Sequence, residues 1–83
     1  MTNEEIYERI KPLASMNLEN QGIECPIDIE VNNCSITCLF SGRNEKTARL
    51  WLYKTLKDRG IEVKEEDIGI SREITNICAY WIF

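Results

Sequence analysis

The chain has 83 residues, a length that holds one domain, because a hydrophobic core this small does not divide. Its composition of 43% hydrophobic and 29% charged residues is typical of a globular domain and excludes intrinsic disorder. The formal net charge is −4 and there is no histidine. Catalytic triads of the Ser-His and Cys-His types are therefore excluded.

Three further signals are missing from the sequence. The four glycines stand singly, so neither a phosphate-binding loop nor a dinucleotide-binding turn is present. Residues 1–5 lack the basic and apolar regions of a secretory signal. The longest apolar run, residues 77–83, is seven residues long against the ~20 of a membrane helix. We therefore expect a cytoplasmic protein with no cofactor.

The first segment predicts a helix that begins near Asn3. Thr2 and Glu5 have the spacing of a capping box, and Ile6, Ile10 and Leu13 recur at helical intervals. Pro12 interrupts the pattern, because a proline inside a helix costs ~3 kcal/mol. The helix either ends near Ile10 and restarts with Pro12 in its first turn, or it kinks there.

Residues 26–41 predict a β-hairpin. Apolar residues alternate with polar ones from Ile27 to Val31 and again from Cys34 to Phe40. Asn32 and Asn33 lie between the two runs, and asparagine tolerates the left-handed conformation of a type I′ turn.

A second helix follows the hairpin. Asn44 is its expected N-cap, and Gly60 is expected to end it. Apolar residues at helical spacing predict its buried stripe, formed by Ala48, Trp51, Leu52, Thr55 and Leu56.

The C-terminal part alternates from residue 61 to residue 70 and ends in the apolar run 77–83. The element order α-β-β-α-β-β predicts an α+β two-layer sandwich, with helices on one face of a mainly antiparallel sheet. A strand that is apolar on both faces is either central and covered twice, or covered on one side by another molecule. We therefore expect a homodimer, the commonest form of self-association.

Four cysteines raise the question of a metal site: Cys25, Cys34, Cys38 and Cys78. Cys34 and Cys38 lie four residues apart in a predicted strand, which separates them by ~13 Å. Two thiolates at that distance cannot share a zinc ion, whose bonds to sulfur are ~2.3 Å long. We expect small buried side chains and no bound metal.

The charge is distributed unevenly along the chain. Residues 43–59 carry a net +4 and the remaining positions carry −8. On a helical wheel the surface opposite the buried stripe is basic but also contains a leucine and a tyrosine, which favours a protein-binding surface. We define this as the basic helix face: Arg43, Lys46, Leu50, Tyr53, Lys54 and Lys57.

Three classes of function are compatible with these features. The first is a non-catalytic protein-binding module or inhibitor, and the short, acidic, motif-free chain resembles in general character the small accessory and inhibitor proteins of bacteriophages. The second is nucleic-acid binding through the basic helix face, or an acidic nucleic-acid mimic using the acidic segment 62–67. The third and least favoured is an enzyme with Asp28 and Glu30 as an acid/base pair.

Overall fold

A computed structural model describes residues 1–16, 18 and 25–83. The two α-helices are α1 (Asn3–Ile10) and α2 (Glu45–Asp58), and short 3-10 helices span Lys11–Ser15 and Glu65–Asp67. The four strands are β1 (Asp28–Val31), β2 (Ser35–Ser41), β3 (Gly69–Arg72) and β4 (Asn76–Ile82). The predicted order α-β-β-α-β-β is confirmed, and the fold is an α+β sandwich.

The strands form one antiparallel sheet in the order β1-β2-β4-β3. The last strand in the chain, β4, is therefore central and pairs with β2 over its whole length, from Ser35 opposite Ile82 to Ser41 opposite Asn76. The hairpins β1-β2 and β3-β4 flank this central pair, and β1 and β3 form the two edges.

One face of the sheet packs against both helices. The side chains of Ile36, Cys38 and Phe40 from β2 and of Ile77, Ala79 and Trp81 from β4 alternate along their strands and are buried. They share a single core cluster with residues of α1, of the 3-10 helix Lys11–Ser15 and of α2, namely Ile6, Ile10, Leu13, Ala48, Leu52 and Leu56. Helices on one face of the sheet, as the sequence predicts, are thus confirmed.

The structure resolves the two alternatives at Pro12. α1 ends at Ile10, and Pro12 lies in the first turn of the 3-10 helix that follows. A proline fits there because its missing N–H has no partner at a helix start. The new helix also directs Leu13 into the core, where it is 1% exposed.

The hairpin turn differs from the predicted type I′. That turn needs positive φ at two residues, and no non-glycine residue in the described ranges has positive φ. Instead the Oδ1 atom of Asn32 accepts hydrogen bonds from the backbone N–H groups of Cys34 (2.9 Å) and Ser35 (2.8 Å). The side chain of Asn32 therefore closes a longer turn without left-handed backbone.

Both predicted ends of α2 are confirmed. The Oδ1 atom of Asn44 accepts a hydrogen bond from the N–H of Thr47 at 3.1 Å, and Gly60 follows the helix with φ +76°, a conformation that glycine adopts without strain. The expected alternation after it gives no strand over residues 61–64, although Ile61 and Val63 are buried and close the core at this end.

Candidate interaction surfaces

The second face of the sheet is covered by no helix among the described residues. We call it the open sheet face. Strand alternation and register place on it two acidic residues, several small polar residues and four larger side chains, Leu39, Cys78, Tyr80 and Ile82. The first three of these four are half-buried and Ile82 is 68% exposed. The open sheet face thus combines apolar and acidic positions on one side of a four-stranded sheet.

A cavity of about 160 Å³ lies at one end of this face. Leu39 and Cys78, which are cross-strand partners, lie in it beside three carboxylates. It is lined by residues of β1, β2 and β4 and of the turn between β3 and β4: Asp28, Glu30, Thr37, Leu39, Glu73 and Cys78. Pockets for drug-sized ligands measure ~300–1,000 Å³, so this cavity has the size of one inserted side chain.

Two exposed isoleucines lie at the same end of the sheet as the cavity, although neither lines it. The N–H of Ile27 donates to the carbonyl of Leu39 at 2.7 Å, and Ile27 is 56% exposed. Ile74, at the turn between β3 and β4, is 91% exposed. Both flank the end of the sheet that carries the cavity, where an exposed large apolar side chain favours contact with another molecule.

The carboxylates of this face influence the thiol of Cys78. Partial burial raises the pKa of the Cys78 thiol, and the nearby carboxylates of Glu73 and Glu30 raise the pKa further. The Cys38 thiol, on the covered face of the neighbouring strand, has its pKa raised mainly by burial. Because the thiolate is the nucleophile, both cysteines are held in their unreactive form.

A glycine shapes the opposite end of the open sheet face. Gly69 and Tyr80 are cross-strand partners, and a Cβ atom on Gly69 would collide with the ring of Tyr80. The ring therefore lies across the backbone of β3, which only a residue without a side chain permits at this position. The ring of Tyr80 is therefore part of the surface at this end of the face.

The structure divides the basic helix face into two flanks of α2. Leu50 and Lys54 lie together on one flank, where they line a shallow groove with Thr47 and Trp51. Tyr53 lies on the other flank and packs partly against the core. Trp51, expected in the buried stripe, is half-buried and meets Phe40 edge-to-face at 5.9 Å between ring centroids.

The remaining members of the basic helix face are exposed. The Nζ atom of Lys57 is 3.6 Å from a carboxylate oxygen of Glu62, a surface ion pair worth ~0–1 kcal/mol. Arg43 precedes the helix and Lys46 lies in its first turn, both exposed. The basic helix face thus consists of four exposed basic residues around the half-buried Leu50 and Tyr53.

The acidic residues of segment 62–67 form hydrogen bonds and ion pairs with residues nearby in the sequence. The Oδ2 atom of Asp67 accepts a hydrogen bond from the N–H of Lys64 at 3.0 Å, and a Glu66 oxygen is 3.9 Å from Lys64 Nζ. Asp67 thus caps the short 3-10 helix, and Glu62 and Glu66 are paired with lysines at the surface. These contacts account for most of the acidic groups without a partner molecule.

No group of three histidine, cysteine, aspartate or glutamate residues within residues 1–16, 18 and 25–83 has a metal-binding arrangement. Asp28 and Glu30, the expected acid/base pair, both lie on the open sheet face and are exposed.

Sequence reasoning missed the importance of Leu39, Tyr80 and Ile82. The sequence did contain a signal for these residues. Residues 77–83 are apolar at every position, and in a strand every second side chain points away from the core. What the sequence does not show is that β4 pairs with β2 and β3, which places its second face beside Asp28 and Glu30.

In the described part of the chain, none of the helices has the length and apolar character that crossing a membrane requires. Comparison with known proteins adds no relative: no protein-family model matches this chain, and no curated protein or solved structure shows significant similarity to it.

Proposed function

We propose that this chain is a small protein-binding module or inhibitor that performs no chemistry and contacts its partner through the open sheet face. One observation carries this proposal. The central strand β4 presents Cys78, Tyr80 and Ile82 on a face that no described helix covers. Large apolar groups on a rigid sheet are suited to protein contact, because little conformational entropy is lost when they are buried.

The basic helix face adds a second contact region on the opposite layer. Leu50 is half-buried beside the groove that Trp51 lines, and Lys54 and Lys46 are exposed around it. In this role the lysines set the association rate and its salt dependence, whereas Leu50 and Trp51 contribute buried apolar area. Tyr53 is half-buried and packs partly against the core, so in this role it contributes less accessible area than Leu50.

The proposal includes a cytoplasmic location. Cys25, Cys34, Cys38 and Cys78 are free thiols, the state that a reducing compartment maintains. The exposed Cys34 supports this location most directly, because an exposed thiol is the first to oxidise outside the cell.

Affinity capture from the native cell with surface variants tests the proposal. Ile82→Asp places a charge on the open sheet face at an exposed position, and Ala14→Asp places the same charge at an exposed position of the helical layer. We expect a specific protein to be retained by the wild type and by Ala14→Asp and to be lost with Ile82→Asp. Mass spectrometry of the captured material and the urea midpoint of each variant are the measurements.

Two results would contradict the proposal. If both variants retain the same proteins in the same amounts, the open sheet face is not the contact. If nucleic acid alone is enriched, and Lys46→Glu with Lys54→Glu abolishes the enrichment, the chain is a nucleic-acid-binding domain that acts through α2.

A further inference from the structure

We infer that the open sheet face binds a lysine- or arginine-bearing segment of a protein partner, one cationic side chain of which enters the cavity lined by Leu39 and Cys78. This inference rests on the proposed function and specifies the partner's chemistry. The proposed occupant is a basic protein segment because the apolar floor of the site, its acidic rim and its dimensions each favour one.

The floor of the site is apolar. Leu39 and Cys78 are half-buried cross-strand partners, and the exposed Ile27 and Ile74 lie at the same end of the sheet. The stems of lysine and arginine side chains bury their methylene groups on such surfaces while the charged head stays at the rim. An anionic side chain is too short to cover the same floor.

The rim of the site is acidic. The carboxylates of Asp28, Glu30 and Glu73 line the cavity, and the strand positions that the structure describes on this face include no lysine or arginine. The nearest strand cation, Arg72, is engaged elsewhere by Glu45 at 2.6 Å, and Arg43 lies in the loop towards α2. Charge complementarity therefore selects a cationic ligand.

The dimensions favour a side chain from a larger partner. A cavity of about 160 Å³ is below the ~300 Å³ at which small-molecule pockets begin. The acidic rim repels phosphate groups, which excludes nucleic acid as the occupant of this face.

A second copy of this chain fits the face less well. Two open sheet faces packed together would oppose three carboxylates from each copy, with no strand cation between them. Two strands of four residues and two of seven give a footprint of roughly 350 Å², against the ~800 Å² per partner of a stable interface. The homodimer expected from the sequence is therefore an alternative occupant that the experiment must distinguish.

A titration monitored by ¹H–¹⁵N NMR tests the inference with the full chain. The probes are a short peptide that alternates leucine and lysine, and the same peptide with glutamine or with glutamate in place of lysine. We expect the lysine peptide to shift the amide signals of Thr37, Leu39 and Cys78. The glutamine peptide should bind at least tenfold more weakly, and the glutamate peptide should cause no shift.

Two triple variants provide the matched comparison. Asp28→Asn with Glu30→Gln and Glu73→Gln removes the three charges that line the cavity. Glu62→Gln with Glu65→Gln and Glu66→Gln removes three charges from the acidic segment 62–67, so the net charge of both variants changes from −4 to −1. We expect the first variant to lose tenfold or more in affinity for the lysine peptide and the second to lose less than twofold.

Several results would overturn the inference: equal affinities of the two triple variants, shifts confined to residues 62–67, or no shift at millimolar peptide. Shifts at the same residues on concentrating the protein alone would assign the face to a second copy. If the glutamine peptide binds the face as tightly as the lysine peptide, the cationic assignment fails while the protein-binding proposal stands. If Ile82→Asp retains every captured protein, the proposed function fails independently of the peptide result.

Discussion

The two faces of β4 have similar composition and different surroundings. Ile77, Ala79 and Trp81 point towards both helices and are at most 9% exposed, whereas Cys78, Tyr80 and Ile82 lie on the open sheet face. Burying apolar area contributes ~25 cal/mol per Å² wherever the area is removed from water. On the covered face this free energy already stabilises the fold, and on the open sheet face it remains available for association.

The cysteines repeat this comparison on neighbouring strands. Cys38 in β2 belongs to the core cluster, whereas Cys78 in β4 faces the carboxylates. Burial is the largest cause of the raised pKa at both thiols; Glu73 and Glu30 add to it at Cys78, and Cys25, Cys78 and Asp28 add to it at Cys38. By composition the covered face is apolar and the open sheet face is apolar and acidic, a difference that four predictions can test.

The largest expected effect comes from truncating two adjacent residues of β4. Trp81→Ala removes a buried side chain and should lower the free energy of unfolding by ~3–5 kcal/mol. Ile82→Ala, at a position that is 68% exposed, should change it by less than ~0.5 kcal/mol. Urea denaturation measures both, and equal losses would show that the open sheet face is covered by another part of the chain.

The second prediction concerns the close contact between Gly69 and the ring of Tyr80. Gly69→Ala introduces a Cβ atom into the space of that ring and should destabilise the protein by ~1–3 kcal/mol. In a Tyr80→Ala background the same change should stabilise by about 0.5 kcal/mol, because alanine loses less entropy than glycine in a strand. A double-mutant cycle in urea gives the coupling, and additive effects would contradict the contact.

The third prediction concerns pH and the covered face. The pKa of Cys38 is raised above the ordinary thiol value of 9.0, mainly by burial, so the folded state keeps a proton that the unfolded state releases at alkaline pH. The free energy of unfolding should be fully retained below pH 9.0 and should fall above it by up to ~1.4 kcal/mol per pH unit. Cys38→Ala should reduce this slope, and an unchanged slope would assign it to other groups.

The smallest effect concerns the open sheet face and is measured as a rate. Glu73→Gln removes one of the charges that raise the pKa of Cys78, so the thiolate fraction increases and alkylation by iodoacetamide should be faster by a few-fold. Glu62→Gln, which removes an equal charge at a residue that does not influence Cys78, serves as the control. Peptide mapping by mass spectrometry separates Cys78 from the exposed Cys34, and equal rates in both variants would contradict the placement of Glu73.

The fold was largely predictable because local signals and the global fold agree. Caps at Thr2 and Asn44, the turn at Asn32 and alternating strands all define elements that the structure contains. The boundary at Pro12 depends on contacts with the rest of the molecule. The type of the hairpin turn is set locally, by hydrogen bonds to the Asn32 side chain that residue periodicity does not specify. At Pro12, for instance, the change from α-helix to 3-10 helix places Leu13 in the core.

The candidate site was less predictable for a different reason. A helical wheel describes one element in isolation, and it placed Tyr53 with the exposed lysines. In the structure Tyr53 packs partly against the core, and α2 contacts β3 and the 3-10 helix Glu65–Asp67. The open sheet face combines Asp28 with Leu39 and Leu39 with Cys78. These pairings join positions far apart in sequence, so they follow from strand order, which residue periodicity does not specify.

The central position of β4 also determines when the sheet can form during synthesis. Residues 76–82 are the last of the four strands to be translated, yet both β2 and β3 pair with them. Until residues 76–82 are available, the β1-β2 hairpin is the only strand pair of the described sheet that can form, and one edge of β2 stays unpaired. Such edges recruit other chains, so we expect this protein to be most exposed to misassembly before β4 joins the sheet.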